Sequence, residues 1–203
     1  MDTSLFPTKG NLINAKNSLK LSMSGYDLLD KKRNILIREL MALIDVAQEI
    51  QSKIDTTFKE AYEALQKANI TVGISEVEQL GYTVKEETGV HIKVRSIMGV
   101  EIPIVTIEEK KFEPHYGFTR TNIALDEVCI KFDKVKKLTV VLSEIENSIY
   151  RLAVNVKKTQ KRANALKNVM IPKYEKITKD MQNALEEKER EEFTRLKMIK
   201  NIG

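Results

Sequence analysis

The sequence predicts a mainly α protein: a long antiparallel two-helix coiled coil built from its N- and C-terminal helices, with a small central region containing a β-hairpin. Leu12, Leu19, Tyr26, Leu40, Ala47, Ile54 and Ala61 recur every seventh residue, interrupted only by Arg33. Ala15, Leu29, Leu36, Leu43 and Ile50 form the second stripe. Near the other end Leu142, Ile149, Val156, Ala163, Met170, Ile177 and Ala184 keep the same interval, beside Leu138, Ile145, Leu152 and Leu166. Between these repeats the period drops to two. Two seams this narrow bury themselves only against each other, and the joining segment lets them fold back antiparallel. At about 1.5 Å per residue, a first helix of roughly sixty residues spans about 90 Å. The chain divides accordingly into an N-terminal helix over 1–68, a central region over 69–120 and a C-terminal helix over 121–203.

Pro7 and Thr8 open the first helix, where the Thr8 hydroxyl can accept a hydrogen bond from an orphan amide. Gly25 interrupts that helix at a cost of about 1 kcal/mol relative to Ala. It is either a tolerated surface glycine or a point of close approach. Ser75 and Glu78 have capping-box spacing and mark one short helix. Val90, Ile92 and Val94, then Val100, Ile102 and Ile104, alternate with other residues around Ser96-Ile97-Met98-Gly99, a hairpin over about 89–106. Pro103 lacks an amide hydrogen and belongs on the outer edge of a two-stranded ribbon. An isolated hairpin is marginal in water, so it packs on the coil or on a partner. Ile97 and Met98 at the tip are apolar where turns are polar; they form a docking surface or fold back on the coil. The segment from Phe112 to Phe118 is a loop punctuated by Pro114 and Gly117. The last helix begins near Thr121 or Asn122. Within it, Pro172 crowds the carbonyl of Asn168 and predicts a kink.

Composition narrows the class. The 203 residues contain no Trp, 6% aromatics, 31% charged residues and 8 Gly, the profile of long helices. The apolar run Ile35 to Ala47 is broken by Arg38, Glu39 and Asp45, so no transmembrane helix is expected. The N-terminus lacks the basic start and apolar core of a signal peptide. Cys129 is alone, which excludes an internal disulfide and fits a reducing cytoplasm. The net charge is +5, with the basic excess concentrated in the C-terminal third. No phosphate-binding loop or dinucleotide-binding glycine turn occurs. His91 and His115 lie in different contexts and offer no clustered metal ligands. Cys129 falls on a helix as a packing residue. The mixed run Glu186 to Glu192 reads as a solvated, ion-paired face. The chain is expected to be non-catalytic.

Several segments carry a family resemblance. Pro7-Thr8-Lys9, Leu12, Leu19, Gly25 and Leu28-Leu29-Asp30-Lys31-Lys32-Arg33 resemble the N-terminal helix of the D subunits of V-type and archaeal-type (A-type) rotary ATPases. Lys161-Arg162-Ala163-Asn164-Ala165-Leu166, Ile171-Pro172, Leu185 to Arg190 and Thr194-Arg195-Leu196-Lys197 are similar to that family's C-terminal signature. Ile97-Met98-Gly99-Val100-Glu101-Ile102-Pro103 is similar to its hairpin. The match runs in order over essentially the whole chain. Lys161, Ala163 and Lys167 depart from the family's usual Arg, Val and Glu; the last reverses a charge.

The resemblance implies a central-stalk rotor that turns inside a ring of catalytic (A) and regulatory (B) subunits. Its ends reach into the ring. Its middle faces the membrane, where it meets the small F protein of the stalk and a funnel-like subunit above the membrane rotor ring. It implies coupling of ATP hydrolysis or synthesis to proton or sodium transport, with ATP and Mg²⁺ bound by partner subunits and no cofactor in this chain. The expected place is cytoplasmic and peripheral to the membrane, without insertion. Arg162, Asn164, Arg190, Arg195 and Lys197 are the expected contacts with the ring; Ile97, Met98, Val100 and Ile102 are the expected partner or regulatory residues of the hairpin. Three other readings compete. The stalk of a flagellar or secretion export ATPase lacks a reason for the central ribbon. A generic coiled-coil scaffold leaves the matched segments unexplained. A nucleic-acid binder would need stacking aromatics among the lysines, and few are there.

Overall fold

The computed structural model describes residues 6–84, 88–108, 116–117 and 121–202. Helix α1 spans Lys9–Thr71. Thr8 caps it as the sequence predicts, its hydroxyl accepting the Asn11 N–H at 3.2 Å. Then come α2 (Ile74–Gly81), β1 (Val90–Ile97), β2 (Val100–Ile107), α3 (Ile123–Ala165), a π-helical turn over Leu166–Met170, and α4 (Ile171–Ile202). Long N- and C-terminal helices with a two-stranded antiparallel hairpin between them match the predicted fold class. The chain packs as two compact units: Met1–Ile35 with Val156–Gly203, and Leu36–Asn155.

In the first unit the helices run antiparallel. Lys9 Nζ meets Glu189 Oε1 at 2.9 Å, Gly25 faces Leu166, and Arg33 Nη1 donates to Gln160 Oε1 at 2.8 Å. Ala15, Ser22, Thr159, Ala163, Thr178 and Met181 are its buried residues. Ser22 and Thr159 fill gaps in the apolar stripes, and Ser22 satisfies its hydroxyl on Ser18 O at 2.8 Å. A Cβ on Gly25 would lie 3.6 Å from Leu166 Cδ1, an ordinary contact. The glycine is therefore at a close approach, with room for one methyl.

Near Pro172 the helix departs from a plain kink. The turn before it widens, with the Ile171 N–H donating to Leu166 O, five residues back. In a regular helix the Pro172 ring crowds the Asn168 carbonyl; a π turn moves that carbonyl aside. The turn takes up one extra residue and shifts the seam. Before it, Ala163, Leu166 and Met170 follow the seven-residue pattern. After it, Thr178 and Met181 are buried, and Ile177 and Ala184 of the predicted repeat are half-buried like Tyr174 and Leu185, while Lys173 and Asp180, seven and fourteen residues after Leu166, are exposed.

In the second unit Ala64, Ala68 and Val128 form a core bordered by Leu65, Ala124 and Phe132. Small alanines let the helices approach closely. Tyr62 stacks on Phe58 and meets the edge of Phe132, at ring separations of 5.9 and 6.0 Å. Leu36 and Leu152 are fully buried. Helix α2 starts earlier than the capping-box spacing predicts. Gly73, at φ 105°, precedes it, and no side chain caps it. Helix α3 starts after Asn122, whose Oδ1 accepts the Ile123 N–H at 2.7 Å.

The hairpin pairs Val90 with Ile107 through to Ile97 with Val100. Its two-residue turn, Met98–Gly99, has φ of 50° and 75°, the twist that suits a tight hairpin. The other edge of β2 is taken by α3: Val105 N–H donates to Glu144 Oε2 at 2.7 Å, and Arg151 Nη1 donates to Glu101 O at 3.2 Å. Pro103 lies between these two anchors on the same edge, where it has no N–H to satisfy. His115 and Pro114 lie outside the described residues.

Candidate functional site

The residues expected at the ring lie on the first unit. Arg162, in the last turn of α3, is exposed. Asn164 Oδ1 accepts from Gln160 Nε2 at 2.8 Å. Gln160 in turn accepts from Arg33, which pairs with Asp30 at 2.6 Å and also donates to Asn34 Oδ1. Arg33, the break in the apolar repeat, is thus the centre of a polar layer that ties α1 to α3. Sequence reasoning left Arg33 and Gln160 unassigned; the usable signals were a charge at a seam position and the Asp30–Arg33 spacing of three. Lys167 lies 5.6 Å from the centre of the Tyr26 ring. That cation–π contact gives the charge-reversed residue a partner.

Arg190, Arg195 and Lys197 sit on a free stretch of α4. Lys9 begins α1 and meets Glu189, and from Glu186 to Lys200 every residue is exposed. Arg195 pairs weakly with Glu191 at 3.8 Å, both well exposed, a contact of about 0–1 kcal/mol. The predicted solvated acidic run is present. The sequence reading missed the apolar side of this segment: Phe193, Leu196, Met198 and Ile199 are each more than 60% exposed. Their spacing, carried on past Leu185, was the available signal.

On the hairpin the four expected residues separate. Val100 and Ile102 are buried at 3% and 6% exposure, so they anchor the ribbon within its own unit and are not free for a partner. Ile97 is half-buried. Met98 is half exposed and is the only non-glycine residue at positive φ among those described. A left-handed conformation costs an L side chain about 1–2 kcal/mol. The opposite ribbon face exposes Val90, Ile92 and Val94.

The remaining reactive groups are quiet. Burial pushes the Cys129 thiol up, away from the thiolate needed for nucleophilic chemistry. Burial and a short hydrogen bond donated to Asp126 also raise Tyr116 well above the usual phenol range. His91 Nε2 meets Glu108 Oε1 at 3.1 Å on the exposed ribbon. Among the described residues no three His, Cys, Asp or Glu side chains gather as a metal site, and no helix is long and apolar enough to cross a membrane.

Long N- and C-terminal helices with a two-stranded hairpin between them define a mainly α, coiled-coil class of protein. A family model describing the D subunit of ATP synthase matches residues 11–201. The chain is 45% identical to the V-type ATP synthase D subunit of Thermotoga neapolitana over 97% of each sequence. It is 39% identical to the A-type ATP synthase D subunit of Methanobrevibacter smithii, over 96% of this chain and 86% of that one. With the A-type D subunit of Pyrococcus horikoshii the identity is 35%, covering 97% and 93%. The chain belongs to the family of D subunits of the V-type and A-type ATP synthases.

Proposed function

We propose that this chain is the central-stalk rotor of a V/A-type rotary ATPase, coupling ATP hydrolysis or synthesis in a ring of A and B subunits to proton or sodium transport. In this reading it is a non-catalytic axle. ATP and Mg²⁺ bind to partner subunits, and the chain works at the membrane without entering it. The observation that carries the proposal is the free stretch of α4. Beyond its contact with Lys9 it offers Arg190, Arg195 and Lys197 beside Phe193, Leu196 and Ile199, with no second helix over them among the described residues. A helix with both charge and apolar area exposed suits a protein sleeve. Charge attraction there varies gently with position, as turning requires.

At the hairpin, Met98 is proposed to touch the small F protein of the stalk, the funnel-like subunit or the ring itself. Backbone strain held at an exposed apolar tip supports this role.

The decisive experiment changes Arg162, Arg190, Arg195 and Lys197 together to alanine and measures helicity and coupled transport in vesicles carrying the reassembled complex. Retained helicity with lost assembly or coupling is expected. Full coupling would show that shape, not this charge, engages the sleeve.

A further inference from the structure

Beyond Met170 the sequence carries two stripes one residue apart, and the π turn chooses between them. An unbroken α-helix would keep the seven-residue interval and turn Lys173, Ile177, Asp180 and Ala184 toward α1. The structure centres Thr178 and Met181 there, flanked by Tyr174 and Leu185; Ile177 and Ala184 stay half-buried beside them, and Lys173 and Asp180 are exposed. One extra residue in a turn rotates everything after it by about 100°.

We propose that the π turn Leu166–Met170 is a positioning device that sets the rotational aim of the C-terminal end. Two features hold it in place. Pro172 disfavours a regular turn with the Asn168 carbonyl beneath it. Two charges would enter the seam if the turn tightened. The shift also has a local cost: Thr178 Oγ1 is buried without a hydrogen-bond partner, where the straight register would place Ile177. A hydroxyl in that position shows that apolar matching alone did not choose the seam. The selected phase runs on through Glu189, which meets Lys9, to Leu196 and Ile199 past the start of α1. It places Arg190 and Lys197 together on one flank of that stripe. Tightening the turn would swing all of these by the same angle. The link to ring engagement rests on the rotor reading above; the link to register does not.

The test uses the full chain with Cys129→Ser and single cysteines at positions 173, 174, 180 and 181. Thiol labelling is expected to be slow at 174 and 181 and fast at 173 and 180; the reverse pattern would overturn the proposal. Deleting Val169 removes the residue that the wide turn absorbs, so a regular helix should carry the parent pattern onward, and exchange of the two pairs in that variant overturns the proposal. Pro172→Ala/Lys173→Leu/Asp180→Leu frees the turn to tighten and makes the straight register apolar; cysteines at 174 and 181 should then label fast, and unchanged slow labelling overturns it equally. With its end swung round, this triple variant should bind the catalytic ring about tenfold more weakly than the parent, while the deletion variant, whose aim is kept, should not; equal affinity of the triple variant overturns the positioning role. If the rotor reading itself were wrong, even the parent chain would not assemble, while the labelling pattern would stand.

Discussion

Removing the guanidinium of Arg33 tests the polar layer between α1 and α3. Its Nη2 lies 2.6 Å from Asp30 Oδ1 and its Nη1 lies 2.8 Å from Gln160 Oε1. The Arg33 and Asp30 side chains are 24% and 30% exposed, so water screens the pair only in part. A hydrogen bond from a charged donor contributes about 1.5–3 kcal/mol when sheltered, and an exposed ion pair about 0–1 kcal/mol. Discounted for solvent, Arg33→Ala should cost about 1–2 kcal/mol. For a chain of this size that is a fall in Tm of about 2–8 °C. Arg33→Leu removes the same contacts but completes the apolar repeat, regaining about 1.5–3 kcal/mol through burial. It should therefore melt close to the parent chain, as apolar replacements of sheltered ion pairs do. Thermal melts followed by far-ultraviolet circular dichroism would measure all of these, with Gln160→Ala and the double variant closing a cycle. A coupling of about 0.5–1 kcal/mol is expected for residues in contact. Additive single effects, or Arg33→Leu as damaging as Arg33→Ala, would refute the reasoning.

Leu152→Ala, at a fully buried position, should cost about 2–5 kcal/mol, whereas Tyr150→Ala, 70% exposed two residues away, should stay within about 0.5 kcal/mol in the same melts. Gly25→Ala should raise Tm, because it gains about 1 kcal/mol of helix propensity and meets Leu166 at ordinary contact distance. At Met98, substitution to Asn should stabilise the hairpin, since Asn tolerates positive φ, while weakening partner capture in a pull-down of the reassembled complex. Burial opposes ionisation of Asp133, but hydrogen bonds from Lys137 and Lys136 prevail and hold its carboxyl below the usual 3.8. Its stabilising effect is therefore complete above pH 3.8 and is lost as pH falls through the lowered value, so Asp133→Asn should flatten that acid limb of a Tm–pH curve.

Legibility followed the physics of each element. The helices were readable because a seven-residue apolar interval has one economical solution, and Ala15, Leu36, Ile54 and Ala61 are buried where it puts them. Pro103 revealed the ribbon's outer edge because a missing N–H is a local fact. The shift beyond Met170 was hidden, since Ile177 and Ala184 continue the interval and nothing one-dimensional announces a wider turn. Among the candidate site residues, the exposure of Met98 and the burial of Val100 and Ile102 depend on which ribbon face meets α3. Alternation alone does not decide that. Arg33 looked like a flaw in the pattern because its partner Gln160 lies 127 residues away.

The unit Leu36–Asn155 is continuous in the chain, whereas the other is assembled from the first and last segments. During synthesis at about 5–20 residues per second, the interrupted unit must wait for its second half. Lys9 is made roughly 9–36 s before Glu189. Throughout that interval Leu12, Ala15, Leu19 and Tyr26 have no companion seam, while the continuous unit can already close. The first turns of α1 are therefore the part of the nascent chain most in need of a holding chaperone. A truncated message ending near Asn155 should yield a protein folded in its middle and sticky at its beginning.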